Sequence, residues 1–362
     1  PFHFLAYFQS LLCSFSLLLS MKKRQNSVFI AFLLSIIFLV FRPWFTTAEI
    51  IGGDWPYFFG ETINKFTLFP PAWSSTHGNG LGGTIIAYNI DQYLYLTAFL
   101  FTHILKVPWV LVYKIFWFGL FLFLSVFSSG YLAKSMIPRP RSWQIAAGAL
   151  LYTTNTYILM VVGGGQMGVA LAYSIAPLVI ARFMKLIDIT VLRNHNFKLS
   201  IVAGLILSAQ IMFDPRIAYL TIGAVVLYYV LQLVWQKPKK YNLYYLFIFF
   251  AIPFGTALLL NAYWLLPAVL SGGSTVEQLG DIYTSSESVK FFSFAKLENA
   301  ISLLHPNWPE NLFGKVSFMR WEFLILPVLA YSSLLFINSS IADDGLRIQY
   351  AIRNTQLTNR II

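Results

Sequence analysis

The side chain best suited to chemistry in this sequence is the carboxylate of Asp54. It follows Gly52 and Gly53, and Pro56 stands two residues after it, so the backbone can turn sharply before the carboxylate and is stiff behind it. Beside the neighbouring aromatic residues the carboxylate is expected to be partly desolvated, and a more basic carboxylate suits proton abstraction from a hydroxyl. The same spacing fits the N-cap of a helix that begins near Pro56. The two roles are compatible, and both stay open.

A second candidate group brings amide, carboxylate and phenol side chains together within seven residues. Amides and carboxylates exchange hydrogen bonds with hydroxyls, and tyrosine rings stack on the faces of sugars. The group is therefore a candidate sugar-binding site, made of Asn89, Asp91, Gln92, Tyr93 and Tyr95. The alternative is an interfacial helix with an Asn or Asp N-cap and tyrosines at the depth of the lipid headgroups.

Phosphate binding is suggested at two further places. His77 opens a run with glycines at 78, 80, 82 and 83, and we count His77 among the candidate substrate-binding residues. The run has the letters of a GxGxxG motif, but no strand precedes it, so a dinucleotide fold is rejected, and a phosphate-facing turn or a flexible hinge remains. Arg216 is a candidate phosphate ligand because its planar guanidinium matches phosphate oxygens, whereas a turn with solvated charges is the alternative.

Other familiar sites are not predicted. The single cysteine, Cys13, excludes a disulfide framework and a cysteine-based metal cluster. No metal ligands are assigned, although a divalent ion remains open as a cofactor, and no Walker loop is present. Gly163-Gly-Gly-Gln166 predicts a tight hairpin turn between two apolar runs.

These residues must be positioned by membrane helices. Of the 362 residues 57% are hydrophobic and only 11% are charged, against about 25% charged residues in a soluble domain. A spanning helix needs about 20 mostly apolar residues. The sequence therefore predicts an all-α polytopic membrane protein with about eight transmembrane helices, at 28–45, 109–132, 143–162, 168–184, 199–213, 217–235, 243–269 and 321–337. The run 243–269 is long enough to tilt or break.

Charge distribution predicts which segments share a side of the membrane. The segments 21–27, 133–142, 185–198 and 236–242 hold twelve basic residues and one acid, which is typical of the cytoplasmic side. The segments 46–108, 163–167, 214–216 and 270–320 hold seven basic residues and ten acids, and are predicted to lie outside. The net charge of +11 is thus mostly a topological signal, and nucleic acid is not an expected partner.

The organisation along the chain follows from this topology. The apolar run 92–105 is short for a span and is predicted as an interfacial helix within one long outer loop, 46–108. Residues 1–20 are a leader, an upstream segment or an extra interfacial helix. Residues 21–340 form one predicted transmembrane domain, with its N-terminus cytoplasmic from Met21, and 341–362 form a polar tail.

An acidic residue just outside the first span, followed by a long outer loop, resembles the GT-C superfamily of membrane glycosyltransferases. The nearest likeness is to the N-terminal membrane part of the α-(1→3)-arabinofuranosyltransferase family. It extends over about residues 28–310, through Gly53-Asp54, Tyr93-Leu-Tyr95, Val107-Pro-Trp109-Val-Leu-Val-Tyr-Lys114 and Ala262-Tyr-Trp-Leu-Leu-Pro267. The resemblance implies a polyprenyl-phosphate sugar donor and a glycan or lipid acceptor of the cell envelope. It also implies an inner (plasma) membrane location and a general-base role for Asp54.

Three functions are therefore carried forward. The first is an inverting glycosyltransferase that works on the extracytoplasmic face. The second is a transporter or flippase for a lipid-linked sugar, which is less well matched because mid-span charges are few and no internal repeat is visible. The third is a non-enzymatic membrane subunit of an envelope-assembly complex.

Overall fold

The structure is a computed structural model and describes residues 23–50, 53–55, 63, 66–69, 73–74, 83–84, 89–137, 140–191, 197–236, 243–270, 328 and 331–332. Backbone contacts divide the chain into two units, Pro1–Tyr283 and Thr284–Ile362. The second unit is described only at Val328, Tyr331 and Ser332, which are helical. Apart from these three residues, the predicted span 321–337 lies outside the described residues, as does the predicted loop 270–320 beyond Leu270.

The described part of the first unit is mostly helical and contains a two-residue antiparallel ladder. In this ladder β1 (Trp73–Ser74) pairs with β2 (Gly83–Thr84). The helices in chain order are α1 (Lys23–Thr46), α2 (Asp91–Thr97, continuing as a π-helix over Ala98–Ile104), α3 (Trp109–Met136, π-helical over Lys114–Gly119), α4 (Ser142–Thr154), α5 (Thr156–Gly163), α6 (Met167–Val191), α7 (Phe197–Phe213), α8 (Pro215–Gln236), α9 (Leu243–Leu260) and α10 (Ala262–Leu270).

Three of the described helices are long and apolar enough to cross a membrane. They are α3, the part of α6 over Met167–Ile187 and the part of α8 over Pro215–Gln232. These helices occupy the predicted spans 109–132, 168–184 and 217–235, so the helical class is confirmed. Shorter apolar helices occupy the predicted spans 28–45 and 199–213, and the described helices do not establish eight crossings.

The predicted span 143–162 consists of two helices that are bent relative to each other. Helices α4 and α5 are long and apolar enough to cross a membrane only as a pair, and the pair is bent by 44°. The bend lies at Asn155, whose Nδ2 donates to the carbonyls of Leu151 and Tyr152, while its Oδ1 accepts the backbone N–H of Ile158 at 3.0 Å. The Asn155 side chain thus forms hydrogen bonds with backbone groups at the end of α4 and at the start of α5. These groups would otherwise lack partners at the bend.

The long run 243–269 breaks, as its length allowed. Helix α9 ends at Leu260 and α10 begins at Ala262, and the buried Asn261 lies between them. Its Nδ2 donates to the carbonyls of Ala257 and Ser208, and its Oδ1 accepts from the indole of Trp264 at 3.0 Å. The Asn261 amide therefore forms hydrogen bonds on both sides of the break and links the break to α7 through Ser208.

Helix α6 is the central helix of the first unit and packs against α3, α7 and α8. Small residues let the helices approach closely, as is typical inside membranes. At Gly204 of α7 an added Cβ would lie 2.7 Å from the carbonyl oxygen of Pro253 in α9. Tyr113, Trp117 and Phe121 of α3 are entirely buried in the interior.

Helix α2 and its π-helical continuation occupy the predicted interfacial segment 92–105. One face is buried in the core at Leu94 and Ala98, whereas Leu100 and Ile104 are exposed. A short helix with an apolar face on each side can pack on the bundle and still present hydrophobic side chains outward. The predicted helix is thus confirmed as an element, and its place relative to a bilayer remains a prediction.

Candidate functional site

Segments far apart in the sequence meet at one end of the helices, which we call the loop end. It is formed by 53–55, 89–91, 163–166, 213–216 and 261–263. The backbone N–H of Asp54 donates to the carbonyl of Gly164 at 2.7 Å, and Asn89 donates to the carbonyl of Met212 at 2.8 Å. The hydroxyl of Tyr263 donates to the carbonyl of Asn89. The charge pattern predicted the first four of these segments on one side of the membrane, and the structure places them at one end.

The backbone around Asp54 is held on both sides. Gly53 has a φ of +56°, and an added Cβ would lie 2.0 Å from the carbonyl oxygen of Gly164, so glycine is required there. On the other side Trp55 is 2% exposed, with its ring centroid 5.7 Å from that of Tyr113 and 5.2 Å from that of Trp117. The loop is therefore held against the Gly164 backbone immediately before the carboxylate and in the aromatic core immediately after it.

The carboxylate itself points outward. Its Oδ2 accepts a hydrogen bond from Nε2 of Gln166 at 2.9 Å, and its Oδ1 has no hydrogen bond among the described residues. The side chain is exposed, so the desolvation expected from the sequence is not observed. The predicted alternative, an N-cap for a helix near Pro56, lies outside the described residues. A held carboxylate with one open oxygen can accept a proton from a bound hydroxyl.

Gln166 was not predicted as a site residue. The sequence predicts only a hairpin turn at 163–166, and the turn is present, with Gly165 at a φ of +77°. The turn also supplies both hydrogen-bond partners of Asp54: the Gly164 carbonyl accepts from its backbone N–H, and the Gln166 amide donates to its carboxylate. The available signal was its predicted place on the same side of the membrane as Asp54.

The candidate sugar-binding group is largely used to fasten the loop to the bundle. Nδ2 of Asn89 donates hydrogen bonds to the last two carbonyls of α7, those of Met212 at 2.8 Å and Phe213 at 3.1 Å. The N-cap position of α2 is Ile90, with no side-chain cap, so the expectation of an Asn or Asp cap is wrong. The reason is that the amide of Asn89 satisfies the end of a neighbouring helix instead.

The two tyrosines of this group have different surroundings. Tyr93 donates to the carbonyl of Phe116 and packs its ring on Trp117 and Phe213, and burial raises the pKa of its phenol. Tyr95 stacks on Phe66 with ring centroids 4.2 Å apart, and burial raises the pKa of its phenol. Both tyrosines are therefore half-buried and pack on aromatic neighbours.

The remaining members of the group lie at the first turn of α2. Asp91 is only 8% exposed and adds to the raised pKa of Tyr95, as a neighbouring negative charge does. It also interacts electrostatically with Tyr263. Gln92 is half-buried. The structure thus brings Asp91 into the core and leaves Gln92 and Tyr95 closer to the surface.

Asp214 and Arg216 form an ion pair at the start of α8. Oδ1 of Asp214 accepts the backbone N–H groups of Arg216 at 2.8 Å and Ile217 at 3.3 Å, and Pro215 occupies the first helical position, so Asp214 is the N-cap. Nη2 of Arg216 lies 2.7 Å from Oδ2 of Asp214. The Arg216 side chain is nevertheless 77% exposed. One edge of the guanidinium is held by Asp214, and the other edge remains available to an anion.

His77 and most of its glycine-rich run lie outside the described residues. Among the residues that the structure does describe, no three His, Cys, Asp or Glu side chains group in a way that could hold a metal ion. The loop end therefore offers an anchored carboxylate at Asp54 and an outward-facing cation at Arg216. Comparisons of the chain with models of known protein families, with curated proteins and with solved structures find no match.

Proposed function

We propose that the protein is a membrane glycosyltransferase that moves a sugar from a polyprenyl-phosphate donor to a glycan or lipid acceptor of the cell envelope. In this proposal about eight helices cross the inner (plasma) membrane, with the N-terminus cytoplasmic from Met21 and the loop end outside. The apolar helices and the common end of the predicted outer segments support this arrangement.

The observation that carries the proposal is the way Asp54 is held. Its backbone is anchored by Gly53 on the Gly164 carbonyl and by the buried Trp55, while its carboxylate is exposed and bonded on one oxygen to Gln166. An exposed carboxylate with no catalytic role gains little from such anchoring, because solvated surface charges contribute little to stability. A fixed base, in contrast, depends on its position to within a fraction of an ångström.

The proposed reaction is a single displacement with inversion at the anomeric carbon. The open oxygen of Asp54 takes the proton of the acceptor hydroxyl as that oxygen forms a bond to the anomeric carbon. The bond between the anomeric carbon and the phosphate oxygen breaks, and polyprenyl phosphate leaves with the electron pair. The free edge of the Arg216 guanidinium is suited to stabilise the negative charge on the departing phosphate.

The test is sugar transfer in proteoliposomes with a panel of polyprenyl-phosphate sugars. Asp54→Asn is expected to lower turnover by about 100-fold or more, the range for loss of a general base. Glu49→Gln is the matched control, because Glu49 is another exposed acid near the same end of the bundle. Turnover that survives in a folded Asp54→Asn protein would exclude Asp54 as the base. A parallel assay with a chelator tests the need for a divalent ion.

Gln166→Leu gives a second, graded test of the same site. Loss of the 2.9 Å hydrogen bond leaves Asp54 charged but less well oriented, so kcat is expected to fall by about tenfold. The nearby Gly163→Ala serves as its control, because no atom lies within 4 Å of the added methyl group. Equal losses in both variants would mean that the turn, and not the hydrogen bond, matters.

One observation favours transport of a lipid-linked sugar as the second candidate. Helices broken within the membrane are common in transporters, and the α4–α5 pair is bent at Asn155. The amide of Asn155, however, is satisfied within the bundle by neighbouring carbonyls and by the hydroxyl of Tyr173 at 2.8 Å. Movement of the substrate across proteoliposomes with its sugar linkage intact would favour the transporter. No activity in either assay would favour the non-enzymatic subunit.

A further inference from the structure

An apolar groove runs along the exposed face of α3. Its volume is about 550 Å³, and it is closed on one side by Phe45, near the end of α1. The side chains that line it along α3 recur at helical spacing and are Leu111, Ile115, Phe116, Leu120 and Phe123. Leu111 and Ile115 remain 50% and 58% exposed. The groove is therefore a surface that faces the surroundings of the bundle.

The floor of the groove is the π-helical segment of α3, Lys114–Gly119. Such segments are rare and are often found at functional sites. Gly119 ends the segment and adds no side chain, which leaves space between the flanking side chains. The length from Leu111 to Phe123 corresponds to about 18 Å along the helix, close to the thickness of one bilayer leaflet of about 15 Å.

The mouth of the groove carries one positive charge. Nζ of Lys114 donates to the carbonyl of Thr47, which follows α1 at the loop end. Lys114 forms no ion pair with any described residue; the ion pair found among the described residues joins Arg216 to Asp214. A cation at the end of an apolar channel complements a molecule with a hydrocarbon chain and an anionic head.

We infer that this groove binds one acyl chain of an anionic phospholipid from the surrounding bilayer, with the lipid phosphate on Lys114. A bilayer lipid is favoured over a sugar donor by the direction of the groove. Tyr113 faces inward and contacts Trp55, next to Asp54, whereas Lys114 is turned by about 100° around the helix. A lipid in the groove therefore lies beside the reaction site and not in it. The inference does not depend on the proposed function.

The test is native mass spectrometry of the full chain titrated with phosphatidylglycerol or phosphatidylcholine of equal chain length. The wild type is expected to bind phosphatidylglycerol about fivefold more tightly, the preference that one interfacial lysine provides. Lys114→Gln should remove the preference, and Lys114→Arg should keep it. Lys134→Gln is the matched control, because Lys134 is exposed at the other end of the same helix.

A second variant tests the groove separately from the charge. Ile115→Trp places a larger side chain in the groove at an exposed position, and binding of both lipids should weaken. Equal affinity of the wild type for the two lipids would overturn the inference, as would a preference that survives in Lys114→Gln. Displacement of bound phosphatidylglycerol by polyprenyl phosphate would also overturn it, and would assign the groove to the donor.

Discussion

Replacing Gly53 by alanine tests whether the loop that carries Asp54 is positioned by its contact with the α5–α6 turn. The new methyl group would lie 2.0 Å from the carbonyl oxygen of Gly164, so the two segments must separate. Separation breaks the 2.7 Å hydrogen bond from the Asp54 N–H, which contributes about 1 kcal/mol. The left-handed backbone at φ +56° adds about 1–2 kcal/mol for a residue with a side chain. The docked loop is therefore expected to lose about 2–3 kcal/mol.

Hydrogen exchange of the peptide containing Asp54 measures this loss directly. A change of 2–3 kcal/mol should raise the exchange rate of the Asp54 amide by about 30- to 150-fold, while exchange in α6 and α7 stays unchanged. Gly163→Ala is the control, since its methyl group meets no atom within 4 Å. If Gly53→Ala exchanged at the wild-type rate, the close contact between the two segments would be refuted. The expected fall in sugar transfer is a separate readout.

Three further predictions concern the residues around the site. Asp214→Ala should lower the thermal stability of the purified protein through an N-cap loss of about 1 kcal/mol. Asp214→Asn keeps a capping oxygen and removes only the negative charge that pairs with Arg216, so it should lose less. Asn89→Ala leaves two helix-end carbonyls unpaired and should destabilise by about 1–3 kcal/mol; an unchanged melting temperature would contradict this role. Because burial raises the pKa of Tyr95 above its usual 10.0, its contribution to stability is complete below pH 10 and is lost as the pH rises further. Tyr95→Phe should therefore reduce the alkaline loss of stability, which unfolding measured as a function of pH checks.

Much of the architecture could be predicted because hydropathy and charge are local properties of the chain. An apolar run must be helical in a membrane, since each backbone group must find a partner within its own segment. The positions of α3, α6 and α8 follow from this rule, whereas the helix over 92–105 is predicted from an apolar run too short to span. The alternation of basic and acidic segments also grouped the loops that the structure brings to one end.

The candidate site was predicted in part. Asp54 is distinguished in the sequence by its glycines and its place after the first apolar run, and Arg216 by its charge at an acidic end. The sequence did not indicate that Asn89 and Tyr93 would be used to hold the loop on the bundle. Amide and phenol groups are chemically suited to both a sugar and a backbone carbonyl, so their type alone cannot distinguish binding from packing.

The sequence by itself determined the helical class, the apolar runs and the side on which each loop is expected. Only the tertiary structure decided which groups become partners, because the amide of Gln166 and the carboxylate of Asp54 are 112 residues apart in the chain. The same holds for the bend at Asn155 and for the contact of Gly53 with Gly164. Hydropathy and charge act along a segment, whereas hydrogen bonds and close contacts depend on how separate segments pack together in space.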